Sequence, residues 1–166
     1  MPTTTAPPTA TLQACGVVSS LSAAFKAISP AATPTIPASI AHDCLNSVPL
    51  NTDSALKLMD SLKPYLEWQS DPAYLKAPPA DQYFYPPHDI FAQFDLIVSK
   101  LKGGLYINEY AFQQEVYQIF APAHDGHFVM YPDLLSKALQ WGRKMPLVSL
   151  SKDGVEIPKI YAYSES

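Results

Sequence analysis

The clearest helical pattern in the sequence is Ile90-Phe91-Ala92-Gln93-Phe94-Asp95-Leu96-Ile97-Val98-Ser99-Lys100-Leu101-Lys102-Gly103-Gly104. Large apolar residues recur in it at i, i+1, i+4, i+7, i+8 and i+11, which is the spacing of one face of an α-helix. The two final glycines are typical of a helix end, because glycine readily adopts the backbone conformation that closes a helix. The stretch therefore predicts an amphipathic helix whose apolar face needs a partner surface.

Helices on both sides of this stretch are the candidates for that partner surface. The segment after it predicts a helix capped by Asn108 and ended by Pro122. Its apolar face consists of Phe112, Val116, Ile119 and Phe120. The segment before it predicts a helix with Asn51 and Thr52 as candidate caps and a kink at Pro64, near its end. The apolar face of that helix consists of Leu58, Met59, Leu62 and Leu66.

The N-terminal third predicts further helices separated by proline-rich segments. Residues 1–11 are rich in threonine, proline and alanine, which favours a disordered tail. Residues 16–28 have apolar side chains at helical spacing and predict an amphipathic helix. Three prolines make residues 29–38 an extended linker, after which about 39–46 predicts a short helix. Five prolines in residues 70–88 predict a long loop with one turn of helix around Tyr74–Lys76.

After the last of these helices the pattern becomes extended. Phe128–Tyr131 predicts a short strand, and an aspartate caps a short predicted helix over Leu134–Trp141. Leu147–Leu150 and Ile157–Tyr163 predict two more strands. Lys152-Asp153-Gly154 lies between them, and an Asp-Gly pair there is a strong hairpin signal. We therefore expect an α+β fold, with a helical N-terminal part followed by a small antiparallel sheet.

Composition and charge exclude several classes of protein. The 166 residues fit one domain, and 48% hydrophobic with 16% charged residues indicate a globular chain. The net charge is −4 and no basic run exceeds Arg143-Lys144, which argues against nucleic-acid binding. No apolar run is long enough to span a membrane. Residues 1–8 have neither a basic start nor an apolar stretch, so no signal peptide is visible.

The chain has two cysteines, Cys15 and Cys44. One interpretation is that both are buried reduced thiols. The other is a disulfide that joins the first helix to the segment Ala41–Leu50, although disulfides need an oxidising compartment and the chain shows no signal for one. Composition alone leaves both interpretations open.

The stretch with the most chemical potential is Ala123-His124-Asp125-Gly126-His127-Phe128. Three interpretations compete. In the first, Asp125-Gly126 is only a turn, and the two histidines pack or cap locally. In the second, His124, His127 and Asp125 bind a metal, although two histidines three residues apart are a weak signal and we expect no metal. In the third, Gly126 allows a sharp turn that aims His127 into a cleft as a general base.

The sequence offers no evident nucleophile for such a base. No Gly-x-Ser-x-Gly pattern places a serine on a sharp turn, and neither cysteine lies in an activating setting. Ser136, Ser149 and Ser151 lie in the right region, but nothing distinguishes them. No glycine-rich loop is present that could hold a phosphate, and we expect no cofactor.

Five segments resemble the N-terminal region of fungal tail-specific, or C-terminal-processing, serine peptidases of clan SK. They are Ala41-His42-Asp43-Cys44-Leu45-Asn46-Ser47-Val48-Pro49-Leu50, Leu66-Glu67-Trp68-Gln69, Tyr74-Leu75-Lys76-Ala77-Pro78-Pro79, Ala123-His124-Asp125-Gly126-His127-Phe128 and Pro146-Leu147-Val148-Ser149-Leu150. The family is similar to the chlamydial protease-like activity factor. Some of its members lie in fungal gene clusters that make ustiloxins and phomopsins. The resemblance runs from Cys15 to Tyr163.

The resemblance implies a role for the histidine loop. In such peptidases a histidine of the N-terminal domain works with a serine and with an acidic or lysine residue of a later domain. His127 matches that histidine, so the resemblance implies that it is the general base. His124, Asp125 and Gly126 would then shape its loop.

The resemblance also implies the domain organisation. Residues 12–166 would be the N-terminal domain, cut before a PDZ-like region and the peptidase core, and Cys15 and Cys44 would form its disulfide. Because the serine and the oxyanion donors would lie beyond Ser166, we expect this chain to be inactive alone. The unpaired edges of a hairpin at the chain end agree with that expectation.

Two functional hypotheses follow. The first is serine-type peptide processing, for example of a ribosomally made mycotoxin precursor, with a peptide or protein substrate. The serine would come from a separate chain or from a missing C-terminal region. The second is a non-catalytic peptide-binding or interaction module, or a truncated fragment without activity. We expect neither a nucleic acid nor a membrane as a partner, and the compartment stays open because the family is often secreted.

Overall fold

The computed structural model describes residues 9–79, 85–142 and 145–163. Within these ranges the chain forms seven α-helices, one short 3-10 turn and one two-stranded antiparallel sheet. They are α1 (Thr9–Ile28), α2 (Ala38–Asn46), α3 (Thr52–Leu66), α4 (Pro72–Lys76), α5 (Ile90–Lys102), α6 (Glu109–Phe120), the 3-10 turn (Ala121–Ala123), α7 (Asp133–Ser136), β1 (Leu147–Leu150) and β2 (Lys159–Ala162). The expected α+β fold, with its helical part before the small sheet, is confirmed.

The core lies between α3, α5 and α6. The buried residues of α5 are Ile90, Phe94, Ile97 and Leu101. Those of α6 are Phe112, Val116, Ile119 and Phe120, and those of α3 are Ala55, Met59 and Leu66. The apolar faces predicted from the sequence are therefore the faces that pack against one another. Burial of each large side chain stabilises the fold by about 1.5–3 kcal/mol relative to exposure, so these three helices supply most of the hydrophobic free energy.

Side-chain caps set where the core helices begin. Asn51 caps α3, because its Oδ1 accepts a hydrogen bond from the Ser54 backbone N–H at 3.0 Å. Thr52, the other candidate cap, is the first residue of that helix. Asp89 caps α5 in the same way by accepting from Ala92 N at 3.0 Å. Each cap satisfies a backbone donor that the first turn of a helix leaves without a partner.

Asn108 joins the start of α6 to the end of α2. Its Oδ1 accepts from Ala111 N at 2.7 Å, which is the predicted cap. Its Nδ2 donates to the backbone oxygen of Asn46, the last residue of α2, at 3.0 Å. The side chain is buried, so both polar ends are paired inside the protein, as buried polar groups must be to avoid a large desolvation cost. This contact fixes α2 on the core.

Helix α1 is longer than predicted. It begins at Thr9, so residues 9–11 are helical and the prediction of a tail is wrong for them. The reason is that alanine, leucine and glutamine, all good helix formers, continue the helix beyond the periodic apolar face. The rest of the predicted tail, residues 1–8, lies outside the described residues.

Cys15 of α1 and Cys44 of α2 form a disulfide, with their Cα atoms 4.5 Å apart. The pairing implied by the family resemblance is therefore present, and the interpretation as two reduced thiols is wrong for this structure. The bond joins two cysteines that are 29 residues apart in sequence, across the linker between the two helices.

Two predicted elements near the histidine loop are wrong. Phe128–Tyr131 is irregular rather than a strand, because the two strands that follow pair with each other and leave it no neighbour to hydrogen-bond. The predicted helix over Leu134–Trp141 shortens to α7, which covers only its first residues. Trp141 is 54% exposed, so nothing packs there that could stabilise a longer helix.

The hairpin itself is confirmed. β1 and β2 pair with Leu147 opposite Ala162 and Leu150 opposite Lys159. Gly154 in the connection has φ of 79°, a conformation that favours glycine. None of the strand residues is buried, so the two strands pack mainly on each other.

In the part of the chain that the structure describes, no helix is both long and apolar enough to cross a membrane.

Candidate active site

The imidazole of His127 projects into solvent. Its side chain has 103% of the reference exposure for a histidine, so no protein atoms cover it. A general base must be reachable by the group from which it takes a proton. The ring therefore meets the first requirement for the predicted role, because another polypeptide can approach it directly.

The loop that carries His127 is anchored on both sides. Ala123 precedes it and Phe128 follows it, and both are buried. The ring of Phe128 packs on that of Phe120 from α6, with ring centroids 4.8 Å apart. The backbone N–H of Phe128 donates to the carbonyl of Asp125 at 3.2 Å and closes the turn. An exposed histidine thus lies on a short loop between two fixed points.

Asp125 organises this loop through its carboxylate. Its Oδ1 accepts from the backbone N–H of His127 at 2.8 Å, and its Oδ2 accepts from Gln69 Nε2 at 3.5 Å. The hydrogen bond from the His127 backbone N–H is the main reason that the pKa of Asp125 lies below its ordinary value, and the Gln69 amide adds to it. The carboxylate is therefore ionised near neutral pH.

The same carboxylate lies beside the His127 ring. Oδ1 of Asp125 is 3.7 Å from Nδ1 of His127. This distance is too long for a hydrogen bond, but the carboxylate is close enough for its negative charge to interact with the ring. The geometry leaves Nε2, the other ring nitrogen, directed away from this partner and available to a reacting group.

Gly126 does not provide the turn conformation expected of it, whereas His124 packs locally, as in the first interpretation of this stretch. The left-handed residue of the loop is His124, with φ of 54°, whereas Gly126 has no positive φ. A Cβ added to Gly126 would meet nothing within 4 Å, so neither backbone conformation nor space requires a glycine there. The ring of His124 stacks on Tyr85, with centroids 3.4 Å apart and 17° between the planes. His124 therefore holds the loop against the preceding segment.

The described residues include no group of three or more His, Cys, Asp or Glu side chains that could hold a metal ion. The interpretation of His124, Asp125 and His127 as a metal site thus has no support in the described geometry. Stacking on Tyr85 already occupies one face of the His124 ring.

The three candidate serines do not approach His127. Ser136 Oγ donates to the carbonyl of Pro132 at 2.9 Å. Ser151 Oγ accepts from the backbone N–H of Gly154 at 3.0 Å, and Ser149 lies on the exposed strand β1. Among the described residues, no serine hydroxyl forms a hydrogen bond with the His127 ring. The described residues thus place no serine hydroxyl in a hydrogen bond with the predicted base.

A groove between α6 and α7 was not foreseen from the sequence. It is lined by Gln114, Tyr117, Tyr131, Pro132, Leu135 and Ser136. Helix α7 is fixed beside α6 because the backbone N–H of Leu134 donates to Gln113 Oε1 at 2.8 Å. Tyr131 follows His127 by four residues, so their Cα atoms are at most about 14 Å apart. The only sequence signal for the groove was a cluster of apolar and aromatic residues that looked like a strand.

The chain resembles peptidases over about half its length. It is 30% identical over 91 residues, 54% of the chain, to the Peptidase S41 family protein phomP1' of Diaporthe leptostromiformis. It is 29% identical over 91 residues to the Peptidase S41 family protein phomP1 of the same fungus. Each match spans 13% of the length of the curated relative. No protein-family profile and no solved structure matches the chain.

Proposed function

We propose that this chain is the N-terminal part of a serine-type peptidase of the tail-specific kind, and that His127 is its general base. The observation that carries the proposal is the solvent-exposed imidazole beside the ionised Asp125, on a loop anchored by Phe128. The similarity to two fungal peptidase-family proteins supports peptidase chemistry.

The proposed mechanism uses each ring nitrogen of His127 differently. Nε2 takes the proton from a serine hydroxyl as that oxygen attacks the peptide carbonyl, and the ring becomes positively charged. Asp125, 3.7 Å from Nδ1, stabilises that charge. The ring then gives the proton to the leaving amine. The serine and the donors that stabilise the oxyanion come from another segment or another chain.

The substrate is proposed to be a peptide or protein. The groove lined by Tyr117, Tyr131 and Leu135 suits an uncharged apolar side chain of such a peptide, since burial of an unpaired charge there would be costly. Its distance from His127 corresponds to a few residues of an extended peptide. The finer role that we propose is processing of a ribosomally made precursor peptide in a fungus, and the fungal source of both relatives supports that setting.

Peptide hydrolysis tests the proposal. The tagged protein is purified under native conditions from the cells that make it, together with whatever chain supplies the serine, and is assayed with fluorogenic peptides. His127→Ala is expected to lower kcat/KM by about 10²–10⁴-fold, the usual contribution of a general base. His42→Ala is the control, because that histidine lies on α2, outside the loop that carries His127. Hydrolysis that is unaffected by His127→Ala would refute the proposed role.

The exposed hairpin favours a second candidate function, a non-catalytic interaction module. Leu150, Ile160 and Tyr161 are each at least half exposed, and a two-stranded hairpin is only marginally stable in water. A module of this kind would retain a bound partner after native purification but would show no hydrolysis with either wild type or His127→Ala. The same experiment therefore separates the two functions.

A further inference from the structure

The described side chains of helix α1, those from residue 13 onward, take no part in the hydrophobic core. The core cluster contains residues from α3, α4, α5, α6 and the segment after α6, but none of these side chains of α1. From residue 13 to its end, α1 has no buried side chain, and Val17, Leu21 and Ile28 are 44%, 38% and 85% exposed. The inner side of α1, which includes Val18 and Phe25, is only half-buried.

The main contacts of α1 are with α2. A helix of this length with several serines, two adjacent valines and a central glycine is marginal in water without packing. The disulfide between Cys15 and Cys44 is the covalent link that keeps α1 against α2, apart from the linker Ser29–Pro37. Removal of that link leaves α1 with half-buried contacts only.

Helix α2 is held to the core independently of α1. Asn46 accepts a hydrogen bond from Asn108, as described above, and the His42 ring contacts the Tyr110 ring of α6 edge-on at 5.8 Å. Val48 O also accepts from Glu109 N at 3.0 Å. None of these contacts involves α1, so α2 can stay in place when α1 leaves.

We propose that α1 is a redox-controlled cover of α2, held closed by the Cys15–Cys44 disulfide and released by a dithiol reductant while the core stays folded. A thiolate of the reductant attacks one cysteine sulfur, the S–S bond breaks and a mixed disulfide forms. The second thiol of the reductant then displaces the remaining cysteine. Two electrons and two protons pass to the protein, which ends with two thiols, and the reductant becomes a disulfide.

Two structural features concern the proposed reduction: the disulfide is accessible to a reductant, and its cleavage exposes part of α2. Both cysteines are half-buried rather than buried, so a small dithiol can reach the bond without unfolding of the domain. Ala41 and Leu45 of α2 are buried, yet they lie outside the main core cluster. On the helix they lie between the side of Cys44, which is joined to α1, and the side of His42, which contacts α6. Departure of α1 therefore exposes part of an apolar surface on α2.

Hydrogen exchange of the full chain, with and without dithiothreitol, tests the proposal. On reduction, the amides of α1 are expected to exchange about tenfold faster or more, because the helix loses its covalent attachment. Amides of α5 and α6 are expected to keep their rates within about twofold, and air oxidation should restore α1 protection. Unchanged protection of α1 would show that packing alone holds it. Faster exchange of α1, α5 and α6 together would show that the disulfide stabilises the whole domain rather than α1 alone. Either result overturns the proposal.

A disulfide-free variant provides the control. The double substitution Cys15→Ala with Cys44→Ala should reproduce the exchange pattern of the reduced protein and should not respond to dithiothreitol. If α1 of this variant stays protected, or if its core amides lose protection, the cover does not depend on the disulfide in the proposed way.

Discussion

Asp89 combines two interactions in one carboxylate at the start of α5. Its Oδ1 caps the helix at Ala92 N, and its Oδ2 is 2.8 Å from Lys76 Nζ. The hydrogen bond from Lys76 is the main reason that the pKa of Asp89 is lowered, and the Ala92 N–H adds to it. A lowered pKa in the folded state means that the charged form stabilises the fold above the unfolded pKa, and that this contribution disappears as the pH falls through the folded pKa.

Asp89→Asn removes the charge but keeps a cap acceptor. At pH 7 we expect the variant to be less stable by about 0.5–1 kcal/mol, because the ion pair is partly exposed. The difference should hold down to about pH 5, shrink below about pH 4 as the unfolded carboxylate takes up a proton, and vanish only below the lowered pKa of the folded Asp89. Urea unfolding at a series of pH values measures it, with Asp95→Asn on the exposed side of the same helix as control. An equal difference at pH 7 and at pH 2.5 would contradict this account.

At this scale, sequence reasoning succeeded for the caps Asn51 and Asn108. It failed for Asp133, which is the first residue of α7 rather than its cap, and for the conformation of the histidine loop. Asn51 and Asn108 were predicted as caps because a short polar side chain before a periodic apolar segment has one favoured use. The left-handed conformation of His124 was not predictable from its type. Its stacking on Tyr85, a long-range contact, accompanies that conformation, and the sequence had suggested Gly126 instead.

Among the secondary-structure elements, helix α5 depends on a glycine to end where it does. Gly104 has φ of 64°, and its neighbour Leu105 donates its backbone N–H to Lys100 O at 3.0 Å, which closes the helix. This is the helix-ending arrangement in which the left-handed residue is usually glycine. It turns the chain toward α6 and the Asn108 cap.

Gly104→Ala is expected to lower the free energy of unfolding by about 1–2 kcal/mol, the cost of a left-handed conformation for an L-residue. Gly126→Ala is the matched control and should change it by less than about 0.5 kcal/mol. There the φ is not positive, and an added Cβ meets nothing. Chemical denaturation of both variants measures the two changes. Equal losses, or a larger loss for Gly126→Ala, would be inconsistent with the backbone conformations described here.

Periodicity decided which elements could be predicted. Helices α5 and α6 have strong apolar faces, and burial of those faces is what makes them helices, so sequence and structure agree. Phe128–Tyr131 is also apolar, but its burial comes from Phe128 packing on Phe120 and not from strand pairing. A short apolar segment does not reveal which of these will occur, because the choice depends on neighbours distant in sequence.

The whole molecule divides into a tightly packed helical core and two peripheral parts, α1 and the hairpin. Phe112 is fully buried in the core, whereas Leu21 of α1 is 38% exposed. Phe112→Ala should therefore reduce the free energy of unfolding by about 3–5 kcal/mol. Leu21→Ala should reduce it by less than about 1 kcal/mol. Global denaturation followed by circular dichroism measures both. Similar losses for the two variants would mean that α1 belongs to the core.

The loop that carries the candidate site was predictable from the sequence, but its geometry was not. The sequence indicated that His127 and Asp125 belong to one loop between rigid elements. It did not indicate that the ring is fully exposed, because this follows from the anchoring of Phe128 under α6. The groove between α6 and α7 also depends on tertiary packing, through the hydrogen bond from Leu134 to Gln113. The residue types thus indicated which chemistry the loop could perform, whereas tertiary packing determined how accessible the His127 ring is.

Labelling of an activated serine by a fluorophosphonate probe tests the role of His127 most directly, since the probe reacts with a serine whose proton is taken by a base. In native purified material, the account predicts a labelled serine whose rate of labelling falls by about 10²–10⁴-fold with His127→Ala. With His42→Ala the rate should stay within about threefold of wild type, because that histidine lies on α2, outside the loop that carries His127. Labelling that is equally fast with and without the His127 imidazole, or no labelled serine in the wild-type material, would contradict the account.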